Sequence, residues 1–333
     1  LPITRFHRQL ISALLIATFL ALPSYSAQLS IAELKRIVSK LAGKVVWTDK
    51  AIPVSGMTDK AAYRATLTFV GKGGFGDIYR LKIQEGSDDG TLIAKVIREN
   101  VSDKVEQAVM NLSIFQKNKH FIRYFGLVPD KNNTMAILVE EGGQDLDKIY
   151  VKDKKKPLPL RTLFKQITDG LYFMHELGYA HLDIKPANML MGLDGLVKII
   201  DTDDSVEVSK SKTPPINISS LGFTAPEVLN KGYRGLFGFS KEVDWRESDI
   251  HALGMSFLSL LKAKTSIELV IDAMPSLKTF YDDFNQDPSN EKKLKTLRIK
   301  VIDAIAQGTF YKALPKSSLN DKSELFKLIV RMM

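Results

Sequence analysis

His181-Leu182-Asp183-Ile184-Lys185-Pro186-Ala187-Asn188 places a carboxylate, an amine and an amide on one short stretch of chain. Those are the parts of a phosphoryl-transfer site. Asp183 can accept the proton of an attacking hydroxyl, Lys185 can neutralise charge on the phosphate in transit, and Asn188 can offer an amide oxygen to Mg²⁺. Magnesium is a hard cation that takes oxygen ligands, so this donor set suits it. Taken alone, the same eight residues also describe a surface loop in which Asp, Lys and Asn turn the chain. The flanking stretches decide between the two.

Upstream, Leu160 to Leu177 carries apolar residues at Leu163, Phe164, Ile167, Leu171 and Met174, the spacing of one helical face, with Gly178 as its stop. The pattern predicts a long helix that delivers the chain to the loop. Downstream, Met189-Leu190 and Leu196 to Ile200 read as two short strands around a turn at Gly192 to Gly195. The second strand hands off to Asp201, an acid placed to share a metal with Asn188.

Earlier in the chain the texture is β-type: Leu67 to Val70, Ile78 to Ile83 and Leu92 to Ile97 predict three antiparallel strands, with Glu85 to Gly90 as turn material between the last two. Between the first two lies Gly71-Lys72-Gly73-Gly74-Phe75-Gly76-Asp77-Ile78. Glycine there lets the main chain approach phosphate oxygens and present N–H groups. A dinucleotide-binding loop competes for such a motif, but it requires a helix after the last glycine, and here a strand follows. Lys95, in the third strand, is either a snorkelling edge lysine or an amine aimed at nucleotide phosphates. Ser102 and Asp103 start a helix with Val105, Val109 and Leu112 on its buried face, and Glu106 on that helix can reach Lys95, with Glu99 as a second candidate. Ala136 to Val139 reads as a buried strand ending at Glu140-Glu141-Gly142-Gly143, the hinge between two lobes.

A chain of 333 residues with 44% hydrophobic content buries a full core, which excludes disorder and fibre architectures. The net charge of +9 is spread along the chain, and its one dense run, Lys152 to Lys156, sits between apolar segments; this is a solvated loop, not a nucleic-acid patch. Without cysteine there are no disulfides, thiolate metal sites or thiol nucleophiles. At the start, Arg5, His7 and Arg8 precede an apolar run from Leu10 to Leu22, followed by Pro23, Ser24 and Ser26. This is the pattern of a secretory signal peptide, and the run makes a helix of about 20 Å against a hydrocarbon core of about 30 Å. Export is therefore expected, with a retained membrane anchor as the alternative. Ile31, Leu34, Ile37, Val38 and Leu41 predict a packing helix between Ser30 and Gly43.

With these residues assembled, the chain resembles the eukaryotic-type protein kinases from about Ala65 onward. The glycine-rich flap, Lys95, Glu106, Asp183 with Asn188, Asp201 and Ala225-Pro226-Glu227 stand in the family's order. Ser248 to Gly254 resembles the buried helix whose aspartate, here Asp249, braces the catalytic loop. Lys185-Pro186 resembles the serine/threonine-directed branch. The resemblance implies an α+β bilobal kinase fold with a β-rich small lobe at 65–141 and a helical large lobe at 142–333 that reads as truncated, preceded by the signal peptide read at 1–26 and a helical extension at 27–64. It implies ATP under the flap formed by Gly71, Gly73, Gly74 and Gly76, with Ile78 and Ile93 against the adenine and the main chain near Glu140 and Glu141 on its edge. Lys95 and Asp201 would serve the phosphates, Asn188 and Asp201 would hold Mg²⁺, and Asp183 would orient a Ser/Thr hydroxyl of a protein substrate. Nucleic acid is not an expected partner, and a membrane is one only if the N-terminal segment is retained.

Several positions depart from the family. Asp201-Thr202-Asp203 keeps the metal-binding acid but lacks the family's aromatic and glycine, and Leu182 replaces the arginine that pairs with an activation-segment phosphate. Ile93 stands where a small alanine is usual, which narrows the purine slot. Ser219 to Phe223 resembles the substrate-docking turn, with Ser220 as the hydroxyl near Asp183 or Lys185. The chain ends at Met333 inside what reads as a late helix, before the arginine that pairs with Glu227 in the family, and it begins with Leu1, which together read as a fragment or an unusual start. The leading expectation is an active serine/threonine protein kinase. Its alternatives are a pseudokinase scaffold and a kinase-like small-molecule phosphotransferase, the latter disfavoured by Ala225-Pro226-Glu227.

Overall fold

Alternating apolar residues along 62–97 build an antiparallel meander of β1 (Pro53–Met57), β2 (Ala62–Lys72), β3 (Gly76–Glu85) and β4 (Asp88–Ile97). The structure, a computed structural model, describes residues 31–41, 53–57, 62–72, 76–85, 88–97, 102–129, 135–153, 159–209, 222–225, 245–287, 290, 292–293, 296–297 and 299–301. The signal segment, Gly73, Gly74, Glu99, Ser211, Thr213, Ser219, Ser220, Pro226, Glu227 and the last residues lie outside them. The α+β kinase class expected from the sequence is the class found: a sheet-rich unit followed by a helical one. The first comprises the described residues up to Lys117 with Phe121–Glu141, the second Asn118–His120 with those from Gly142 onward.

In the first unit, β5 (Tyr124–Pro129) and β6 (Met135–Glu140) complete a six-stranded antiparallel sheet of order β1-β2-β3-β4-β6-β5. Side chains alternate between its faces. Tyr79, Leu81, Ile83, Leu92, Ala94, Val96, Ala136 and Leu138 fill one face. Against that face packs α1 (Ile31–Leu41), whose Leu34, Ile37, Val38 and Leu41 recur at helical spacing and are buried in the same core. Arg36 clamps the helix to the end of β3 through a single nitrogen, Nη2, which donates to both Glu85 carboxylate oxygens at 2.8 and 2.6 Å. The stretch separated by the sequence as an extension is therefore built into the small unit. The β3–β4 ladder also runs further than expected: Ile83 pairs with Gly90 and Glu85 with Asp88, so most of the stretch read as a turn is strand, held by cross-strand bonding. Helix α2 (Ser102–Phe115) buries Ala108, Asn111, Leu112 and Phe115, while Val105 and Val109 are only half-buried, so its inward stripe is turned from the one expected.

In the second unit, α3 (Leu160–Glu176) buries Leu163, Ile167, Gly170, Leu171 and Met174. The hairpin β9 (Met189–Met191) and β10 (Val197–Ile199) carries β7 (Gln144–Asp145) on the outer side of β9, and β8 (Tyr179–Ala180) pairs with β11 (Val206–Glu207). Helix α4 (Trp245–Lys262) is buried on nearly every side from Ser248 to Leu260, which is how a helix with apolar and small residues all round must be used. Helices α5 (Ser266–Ala273) and α6 (Lys278–Gln286) follow. Among the described residues no helix is long and apolar enough to cross a membrane.

Candidate active site

The His181–Asn188 loop leaves β8 with its main chain held from below by α4. Asp249, with no exposed surface, accepts the N–H of His181 at 2.7 Å on one oxygen and the N–H of Leu182 at 2.8 Å on the other. Nε2 of His175, in the last turn of α3, adds a third bond at 2.9 Å. A buried carboxylate is stable only when its acceptor sites are filled, and three donors fill them here. His181 is buried and ties the loop to the next strand: its Nε2–H donates to the Ile200 carbonyl at 3.0 Å, and its Nδ1 accepts from the Asp183 N–H at 3.3 Å.

Asp183 is itself buried, and one of its carboxylate oxygens accepts from Lys185 Nζ at 2.7 Å and from Asn188 Nδ2 at 2.8 Å. The same Asn188 nitrogen donates to the Asp183 carbonyl at 2.9 Å. Two acceptors on one side identify that atom as the nitrogen and leave the amide oxygen for a cation. The Ile200 N–H donates to the Asn188 carbonyl at 3.0 Å, so Asn188 and Asp201 flank the same end of the β9–β10 hairpin. Asp201 takes a left-handed conformation, φ 62°, which a short polar side chain tolerates better than most. Thr202, Asp203 and Asp204 then form a 3₁₀ turn with Thr202 buried. Among the described residues no group of three or more His, Cys, Asp or Glu side chains is gathered for a metal. The donor set on Asn188 and Asp201, one amide and one carboxylate, suits Mg²⁺, which keeps waters and phosphate oxygens as its remaining ligands.

In the small unit, strand register brings the other assigned residues together. Lys95 lies directly opposite Ile78 on β3 and Ile137 on β6, and Ile93 stands two residues before it. Ile78, Ile93, Lys95 and Ile137 therefore share the sheet face turned away from the core. The two described glycines of the loop differ. A Cβ on Gly76 would lie 2.1 Å from the Val96 carbonyl, so strand packing alone demands glycine, whereas nothing approaches Gly71 within 4 Å. The Glu140 N–H donates to the Arg123 carbonyl at 2.9 Å, and its side chain accepts the Arg123 N–H at 2.6 Å. The Glu141 carboxylate takes Arg80 Nε at 2.8 Å. Glu106 is exposed on α2, so any ion pair it makes is screened by water.

Sequence reasoning did not single out His175, His251 or the surroundings of Leu182. Leu182 packs with Val206 and Val208 on a cluster of Ala180, Ala225 and Trp245. The only sequence signals were histidines on otherwise apolar helix faces and a leucine where the motif has a cation.

The protein kinase domain profile matches residues 64–329. Similar proteins include CBL-interacting protein kinase 17 of Oryza sativa subsp. japonica, 29% identical over 175 residues, covering 50% of this chain and 38% of that protein. Myosin light chain kinase family member 4 of Mus musculus is 26% identical over 229 residues, 67% of this chain and 58% of its own length. Calcium-dependent protein kinase 29 of Arabidopsis thaliana is 24% identical over 227 residues, 63% and 40% respectively. The chain thus spans between about two fifths and three fifths of the length of these relatives.

Proposed function

Because the chain belongs to the protein kinase family, we propose that it is an ATP- and Mg²⁺-dependent kinase that transfers the γ-phosphate to a serine or threonine hydroxyl of a protein substrate. The observation that carries the reading is the Asp183 carboxylate fixed between Lys185 Nζ and Asn188 Nδ2. Asp183 would orient the acceptor hydroxyl and take its proton as the new O–P bond forms and the bond from the γ-phosphorus to the bridging oxygen breaks, releasing ADP. Lys185, 2.7 Å away, offsets the charge that develops on the moving phosphoryl group. Asn188 and Asp201 would supply oxygens to Mg²⁺, whose charge would neutralise that of the phosphates. From the small unit, Lys95 would serve the phosphates, Ile78 and Ile93 the purine, and the glycines Gly71 and Gly76 the phosphate chain. The retained set of Lys95, Asp183, Asn188 and Asp201 favours catalysis over a scaffold role.

The test is transfer of label from γ-labelled ATP to a basic serine/threonine peptide, with Mg²⁺ and after chelation. Label should reach the peptide, require the metal, and disappear in Asp183→Ala while ATP still binds. Nucleotide binding without transfer in the parent chain would instead establish the scaffold reading. Export remains part of the proposal through the Arg5–Ser26 segment, and N-terminal sequencing of protein recovered outside the producing cell should begin near Ala27.

A further inference from the structure

We propose that Asn111 is the residue of α2 that positions Lys95, so that the strand lysine is held by a neutral amide where the sequence suggested the Glu106 carboxylate. This rests on the kinase reading above, in which Lys95 serves the phosphates of the nucleotide. Asn111 has no exposed surface and stands in the inward stripe of α2 with Ala108, Leu112 and Phe115, the one polar side chain among them. Glu106 is exposed. Five residues at about 100° each put it about 140° round the helix from Asn111, so the face turned to the sheet carries the amide and the far one the carboxylate.

Topology lays that stripe over the Lys95 face. The other face of the sheet is the core shared with α1, which takes Phe125 and Val128 from β5 and, among the described residues, nothing from α2. A Cβ on Gly126 would lie 3.2 Å from Val38 Cγ1, so α1 occupies that side of β5. Gln116, the residue after α2, ties the helix to the same strand by accepting the Tyr124 N–H at 3.2 Å. Tyr124 lies opposite Val139, and Val139 opposite Ile93, so Tyr124 belongs to the face of Ile93 and Lys95.

The two groups are also level. β4 and β5 both run antiparallel to β6, and α2 returns the chain from the end of β4 to the start of β5. Its N-terminal end therefore lies toward Ile97 and its C-terminal end beside Tyr124. Asn111 precedes Gln116 by about 7.5 Å of helix, and Lys95 stands one same-face step, about 7 Å, beyond Ile93 in the same direction. Gln107, one turn earlier, donates its Nε2–H to Asn111 Oδ1 at 2.9 Å and so orients the amide. An amide oxygen carries two lone pairs, so the same atom can accept a Lys95 hydrogen. Such a partner places the ammonium without neutralising it, which leaves its full charge to the phosphates.

Two measurements test this. In urea unfolding, which needs no nucleotide, Asn111→Asp replaces the amide by a carboxylate of the same shape. Facing Lys95 it should fold with a midpoint close to the parent's, whereas in the Lys95→Met background it should fall well below Lys95→Met alone, because a buried carboxylate without a cation is costly. Failure of Asn111→Asp to fold with Lys95 present, or an equal drop in both backgrounds, would overturn the assignment. In calorimetric titration with ATP and Mg²⁺, Asn111→Leu should weaken ATP about fivefold, the effect of losing one hydrogen bond, in the parent and not in Lys95→Met. Glu106→Leu should show no such coupling to Lys95. No loss in the parent, an equal loss in both backgrounds, or coupling of Lys95 to Glu106 in place of Asn111 would sink the proposal. Where Lys95→Met binds too weakly to titrate, the urea series decides the pair. A parent that binds no ATP overturns the kinase reading and leaves that same series to decide it.

Discussion

Leu182 is held in a left-handed backbone conformation, φ 67°, with its N–H 2.8 Å from Oδ1 of Asp249. A branched residue in that region costs about 1–3 kcal/mol and persists only where its surroundings over-determine it. Here the constraint comes from a buried carboxylate that grips two consecutive N–H groups, and the strain sits one residue before Asp183.

Replacing Asp249 by alanine strands the N–H groups of His181 and Leu182 in the interior, at about 1–3 kcal/mol each. Urea unfolding should show a loss of that order. Phosphoryl transfer should fall by at least about 100-fold, because a displacement near 1 Å of a reacting group has that effect. A variant as stable and as active as the parent would remove Asp249 from this role.

The side chain of Leu182 occupies an apolar cluster with Val206, Val208 and Trp245 rather than waiting for an anion. Activity should therefore not require a phosphate on the segment after Asp201. Combined alanine substitution of Ser209, Ser211, Thr213 and Ser219 should leave the transfer rate near that of the parent, whereas Leu182→Arg should lower the thermal midpoint by removing an apolar side chain from this partly buried cluster. A folded quadruple variant without activity would count against this.

His251 supplies an acid-side pH dependence. Its folded pKa, about 4, lies below the usual 6.5, so its stabilising contribution is complete above pH 6.5 and is lost as pH falls toward 4. The full effect is about 3 kcal/mol, at 1.36 kcal/mol per unit. As pH drops through this window the unfolding free energy of the parent should fall relative to that of His251→Phe by about this amount, and parallel curves would exclude a buried neutral imidazole.

Tyr124 is buried in the small unit, and its hydroxyl has no hydrogen-bond partner among the described residues. Burial raises the phenol above its usual pKa of 10. The folded pKa lies above the unfolded one, so this contribution is present below pH 10 and is lost as pH rises beyond it. Tyr124→Phe should match or exceed the parent in stability by up to about 1 kcal/mol at pH 7 and lose less of it above pH 10. Destabilisation on removing the hydroxyl would reveal a bond not seen here.

Helix α1 precedes the family match, which begins at residue 64, yet Ile37 and Leu41 are fully buried. Ile37→Ala should cost about 2–5 kcal/mol, the range for truncating a core aliphatic residue. Separating Arg36 from Glu85 should add less, since replacing both by alanine removes the clamp without leaving either charge unpaired. A chain shortened to residue 62 that unfolds at the parent's urea midpoint would show α1 to be dispensable.

Local pattern was enough to locate α1, α3 and the strands around Ile78, Lys95 and Ala136, because burial on one face imposes a period that composition reveals. β5 and the two-residue strands β7, β8 and β11 were not legible. They are set by partners distant in the chain, as when Val206 pairs with Ala180. The inward stripe of α2 was misplaced for a related reason: Val105 and Val109 satisfy a helical period, but packing selected Ala108, Asn111, Leu112 and Phe115.

The chemistry of the site was written in residue types alone: an amine on a strand, a carboxylate, an amine and an amide in one loop, and an acid after a hairpin. Tertiary structure decided how each is held. That Asn188 turns its nitrogen to Asp183, that Asp249 grips Leu182 from 67 residues further along the chain, and that Leu182 lies in an apolar nest are outcomes of packing. Side-chain chemistry belongs to each residue by itself, whereas a hydrogen bond's direction and a backbone's strain exist only once distant segments have been brought into contact.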